Sequence, residues 1–73
     1  MTTTLEQRVE MARKLASRFP QYDPVVDMYP EAGSVRVTFG AGRGWVHFQR
    51  SGAVNGLRVV LPDVVAAVRE VGP

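Results

Sequence analysis

The chain has no cysteine. Disulfides are therefore excluded, and the sequence says nothing about redox compartment. With one His and no Cys it cannot fill a zinc shell, so no metal or other cofactor is implied. No apolar run approaches the roughly 18 residues that suggest a membrane span, and Met1-Thr2-Thr3-Thr4-Leu5-Glu6 has neither a basic region nor an apolar signal core. The expectation is a soluble cytoplasmic protein without a membrane partner. Acidic residues are missing from the whole middle of the chain: Ala32 to Pro62, 31 residues, contains no Asp or Glu. That stretch nevertheless holds Arg36, Arg43, Arg50 and Arg58, together with the only His (His47) and the only Trp (Trp45).

The charge is thus segregated, +4 in the middle and −2 outside it. The net +2 is weak support for a nucleic-acid partner, but the local segregation is a clearer sign. Arg outnumbers Lys eight to one, which favours planar, bidentate donors over point charges. A hydrophobic fraction of 45% and a charged fraction of 22% are globular values, not those of a disordered tail. A 73-residue chain is one small domain. Such a domain buries only about 60% of its unfolded surface. Lacking disulfide and metal, it depends on core packing or on association through a sheet edge.

Periodicity predicts the elements. Leu5, Val9, Ala12, Ala16 and Phe19 recur at helical spacing, with Leu15 beside them, so a helix is expected over about 4–18. Thr3-x-x-Glu6 and Thr4-x-x-Gln7 are both capping-box candidates, and Pro20 ends the helix near Arg18. Its polar face carries Glu6, Arg8, Glu10, Arg13, Lys14 and Arg18; the bases could touch a nucleic-acid backbone or an acidic protein, but interleaved acids favour a solvated face. After a proline-bearing linker, strands are expected at about 25–29, 34–39, 45–50 and 57–61, separated by turns at 30–33, 40–44 and 51–56. Asn55-Gly56 is a strong hairpin signal. Pro62-Asp63 favours a final helix over about 63–71, against a fifth strand over Val64 to Val68 on account of its β-branched residues. The expected fold is a single α+β domain, α-β-β-β-β-α, a four-stranded antiparallel meander with both helices packed on one face. A four-residue turn at 30–33 pairs Val26 with Val37, Met28 with Val35, and Asp27 with Arg36, where opposite charges would neutralise each other.

The uncovered face would then present Val25, Asp27, Tyr29, Ser34, Arg36, Thr38, Trp45, His47, Gln49, Arg58 and Val60, with Arg43 and Arg50 at its rim. Sheets that bind single strands stack bases on aromatics and meet phosphates with Arg, each stacked base contributing about 1–3 kcal/mol. The candidate binding residues are Trp45, Arg36, Arg58, His47, Gln49, Arg43, Arg50 and Tyr29. The plain alternative is the polar outer face that antiparallel sheets ordinarily leave in water. Other patterns give way to simpler readings. Gly40-x-Gly42-x-Gly44 could cradle a phosphate, but a strand rather than a helix follows, so it reads as a hairpin turn. His47 is the only candidate general base and has no carboxylate placed to orient it. Asp23, Asp27 and Glu31 lack calcium-loop spacing.

Two resemblances attach to these residues. Helix–three strands–helix resembles the double-stranded-RNA-binding domain, although Pro62-Asp63-Val64-Val65-Ala66 stands where that family has the basic cluster opening its last helix. Val35-Arg36-Val37, Trp45-Val46-His47-Phe48-Gln49-Arg50 and Gly56-Leu57 leading through Leu61 into a helix are similar to the single-strand DNA-binding core of the positive cofactor four transcription coactivators. This likeness covers less than half the chain, with shorter spacing and an extra N-terminal helix, and implies binding on the sheet face. Neither places the chain in a family. The functional expectation is a non-enzymatic regulator contacting nucleic acid through the open sheet. The alternative is a small inhibitor or adaptor, of phage or mobile-element type, that sets the same patch on an acidic protein surface. A homodimer through a sheet edge or the open face is a further arrangement.

Overall fold

The computed structural model describes residues 3–51, 54–57 and 61–71. Helix α1 spans Leu5–Arg18. Of the two capping boxes the chain uses the second: Gln7 N–H donates to Thr4 Oγ1 at 3.1 Å, and Thr4 N–H donates to Gln7 Oε1 at 2.8 Å. A single 3₁₀ turn, Pro20–Tyr22, replaces the expected linker. Asp23 then enters the left-handed region at φ 49° and redirects the chain into the sheet.

Strands β1 (Val25–Tyr29), β2 (Ser34–Phe39) and β3 (Gly44–Phe48) pair in chain order, all antiparallel. The β1–β2 register is the expected one, with Val26 opposite Val37, Asp27 opposite Arg36 and Met28 opposite Val35. In the β2–β3 turn Ala41 and Gly42 take φ 57° and 70°, the left-handed pair that a primed type I hairpin turn demands. The Gly40–Gly44 segment is therefore a turn between strands.

The final hairpin requires correction. The sheet that packs against α1 is three-stranded, where four strands were expected. The fourth, β4 (Val54–Leu57), adds a short ladder on the outer side of β3. It begins three residues earlier than predicted, and Asn55-Gly56 lies within it, Asn55 opposite His47 and Gly56 opposite Val46. The reason is local: the chain leaves β3 at Phe48 and turns at Arg50–Ser51. Asn55-Gly56 therefore joins the ladder instead of forming the turn. Leu57, expected to pair with an inner residue, lies opposite Trp45 instead.

Helix α2 (Pro62–Glu70) resolves the helix-or-strand alternative. Pro62 supplies a preset φ at the first helical position, and Asp63 accepts from Val64 N–H at 3.0 Å.

One core joins both helices to the inner sheet face. It comprises Met11, Ala12, Leu15 and Phe19 of α1 and its cap, Val35, Val37 and Phe39 of β2, Val46 and Phe48 of β3, and Val64, Ala67 and Val71 around α2. Full burial of side chains this size contributes roughly 1.5–3 kcal/mol each. Phe19, Tyr22 and Phe39 form a ring cluster at one end, with centroids 5.7–6.4 Å apart.

The helix face is rotated from the expected one. Met11 is buried and Leu5 is 36% exposed. Arg8, assigned to the polar face, is only 3% exposed. Its stem follows the Met11–Leu15 side, and Nη1 donates to both the carbonyl and the hydroxyl of Thr3. Long basic side chains bury their methylenes in this way while their heads find acceptors.

Candidate functional site

The outer sheet face is organised by a diagonal across three strands. Tyr29 on β1, Arg36 on β2 and Trp45 on β3 are not directly opposed, but diagonal neighbours lie within reach of aromatic and long side chains. The Arg36 guanidinium carbon sits 5.1 Å from the Tyr29 ring centroid and 5.4 Å from that of Trp45. The cation is thus held between two rings. His47, directly opposite Arg36, meets both rings edge-on, at 5.9 Å from Tyr29 and 5.7 Å from Trp45.

The expected Asp27–Arg36 neutralisation does not occur. The two residues are opposed in the register, yet the ion pairs among the described residues are Lys14–Glu10 and Arg18–Glu70. The rings attract the guanidinium face, an interaction worth about 0.5–1 kcal/mol at exposed sites, and draw it off the line to Asp27. Arg36 Nε and Thr38 Oγ1 are buried on this face and have no hydrogen-bond partner among the described residues. Arg8 Nε, in the layer between α1 and the sheet, is likewise buried without a partner among the described residues.

His47 links this cluster to a second feature. Its Nε2 lies 2.9 Å from Ser34 Oγ. Ser34 is buried, a position the alternation had left open. Around this pair lies a shallow depression of about 250 Å³ lined by Ala32, Ser34, His47, Gln49, Arg50 and Ser51. Its lining contains a base and several hydroxyl or amide groups but no acid. Gln49 and Arg50 reach it because β3 ends at Phe48, two residues before the predicted end. Gly33, between the lining residues Ala32 and Ser34, takes φ 64°. A Cβ there would lie 3.5 Å from Arg8 Nη2 and 3.4 Å from Arg50 Cδ, so two arginines crowd the same turn.

Of the predicted residues, the structure brings together Tyr29, Arg36, Trp45, His47, Gln49 and Arg50. Arg43 is differently engaged. Its guanidinium carbon lies 5.2 Å from the Tyr22 ring centroid and it donates to the Gly40 carbonyl. Arg58 and Val60 lie outside the described residues. Sequence reading set Ser34 near His47 on the same face, and the structure makes it the hydrogen-bond partner of that ring. Sequence reading missed Tyr22, whose hydroxyl donates to Asp63 at 2.9 Å and joins the 3₁₀ turn to α2.

Among the described residues no group of His, Asp or Glu could hold a metal ion, and no helix is long and apolar enough to cross a membrane. Comparison with protein-family models, curated proteins and solved structures finds no match for this chain.

Proposed function

We propose that this protein is a small, non-enzymatic regulator that binds nucleic acid, single-stranded or structured, through its open sheet face. One observation carries the reading: the Arg36 guanidinium is held between Tyr29 and Trp45 with no acid paired to it. A guanidinium fixed in this way is a preset bidentate donor for a phosphate. The outward sides of the two rings offer stacking surface for bases. Arg50 and Gln49, past the end of β3, extend the donor surface into the acid-free depression, with Arg43 and Arg58 supplying further charge. His47, already positioned by Ser34, and Gln49 would read base edges.

A second reading is a small inhibitor or adaptor docking on an acidic protein surface. It is favoured by the composition of the cluster, since Trp, Tyr and Arg are the residues that dominate interface hot spots.

Trp45 is the only Trp, so its fluorescence reports on this cluster alone. It should be quenched on titration with single-stranded DNA or RNA at low salt, and less so at high salt. Each phosphate contact adds about 0.7 to the logarithmic salt slope for a single strand. Arg36→Ala with Arg50→Ala should therefore flatten that slope by about two such increments. Absence of any response to single strand or duplex at low salt overturns the nucleic-acid reading and moves the search to an acidic protein.

A further inference from the structure

The apolar stripe of α1 is wider than the part the core covers. Met11, Ala12, Leu15 and Phe19 face the sheet, while Leu5 and Val9, on the same stripe, line a trough between α1 and β1. The trough encloses about 450 Å³ and is completed by Glu6, Glu10, Arg13 and Met28. Met28 is opposite buried Val35 yet 56% exposed, in the trough beside α1. Val25, on the same strand, is 55% exposed. Strand β1 is also first in the sheet order, so among the described residues no strand lies beside its outer backbone edge. An apolar edge of this kind pairs with another chain unless charge, proline or a covering element blocks it.

We propose that β1 pairs antiparallel with β1 of a second copy, forming a two-fold dimer in which one sheet runs through both protomers and their troughs merge. Side-chain alternation limits the register to axes that pass through a residue. Directly opposed residues share a face, so only pairings that set an inner residue on an inner one are allowed. An axis at Asp27 would oppose two carboxylates. An axis at Met28 instead sets Met28 on the partner's Met28 and Asp27 on the partner's Tyr29.

Charge selects the same occupant. The trough lining on α1 runs from residue 5 to residue 13, acids first and Arg13 last. A two-fold axis makes the helices antiparallel and brings Glu6 of each copy toward the partner's Arg13, with Glu10 of each copy nearer the axis, where its own Lys14 pairs with it at 3.6 Å. A rim with acid at one end and base at the other is self-complementary under that operation, as a same-to-same interface requires. Pairing β1 with the partner's β4 would leave a free edge at each end and grow without closing. Closure through β1 also supplies the association on which a small domain without disulfide or metal can depend.

Sedimentation velocity of the full chain over a wide concentration range tests the proposal. The mass should rise from 8.0 kDa toward twice that value, and the melting temperature should rise with concentration. Met28→Lys, at an exposed position, should hold the protein monomeric with an unchanged circular-dichroism spectrum. Glu6→Arg should weaken the dimer several-fold, and adding Arg13→Glu should restore it. A monomer at every concentration overturns the proposal. So does a dimer indifferent to Met28→Lys, or one abolished by Trp45→Ala, which would place the contact on the open face. Loss of nucleic-acid binding would not bear on it.

Discussion

On β2, Val35, Val37 and Phe39 are at most 1% exposed, while Arg36 and Thr38, one residue along, lie half-buried on the opposite face. The same contrast runs along β3, where Val46 and Phe48 enter the core and Trp45 and His47 do not. The closed face is held mainly by apolar packing, with one buried charge among the described residues, Arg8, whose Nη1 donates to Thr3 and whose Nε has no partner among the described residues. The open face is held by cation–ring and ring–ring contacts and leaves Arg36 Nε and Thr38 Oγ1 without partners among the described residues. One strand pattern therefore builds two surfaces with different tasks. Apolar packing is concentrated on one, and cation–ring and ring–ring contacts on the other.

Substitutions can break this division. Phe39→Ala removes a fully buried ring and its edge contacts with Phe19 and Tyr22. It should cost about 3–5 kcal/mol, enough to unfold much of a small domain, as read by urea denaturation. A cost below that of Trp45→Ala would invert the comparison. Arg8 is the one charge in the closed layer. Arg8→Ala should cost about 1–3 kcal/mol, whereas Arg8→Met, which keeps the stem, should hold or raise stability in the same assay. Equal losses would show that the Thr3 hydrogen bonds matter more than packing.

On the open face a double-mutant cycle of Arg36→Ala and Trp45→Ala should give a coupling of about 0.5–1 kcal/mol. Zero coupling would mean that the stacked cation contributes nothing. The smallest effect lies at the margin between the faces. The hydrogen bond to Asp63 chiefly, then desolvation and that carboxylate's charge, hold the Tyr22 hydroxyl above its ordinary 10.0, with Arg43 opposing. The proton is favoured in the folded state, so this contribution is complete below 10.0 and lost as pH rises through the raised value. In a Tyr29→Phe background, tyrosinate absorbance should titrate above 10.0, and adding Asp63→Ala should return it toward 10.0.

Alternation and turn residues made the first two hairpins legible, because inner residues had to oppose inner ones and Gly33 and Gly42 take the left-handed angles their turns need. The final hairpin was not legible. The turn was placed at 51–56 with Asn55-Gly56 as its signal, and local preference does not say whether that pair reverses the chain or joins the strand. Helical spacing located α1 but not its rotation, since its stripe has two apolar sides and only the sheet's reach decides which is covered. The cluster of Tyr29, Arg36, Trp45 and His47 was readable as a shared face. That Arg36 would lie against rings rather than Asp27 was not, because opposition in a register is silent about diagonals.

Each strand pairs with its neighbour in the sequence, so the sheet closes through short loops and costs little chain entropy to assemble. The contact between α1 and α2 is different: Arg18 and Glu70 meet across 52 residues. In kinetic terms the hairpins are expected early in folding and the docking of α2 at its end. Weakening the Arg18–Glu70 bridge should then quicken unfolding and leave the folding rate nearly untouched.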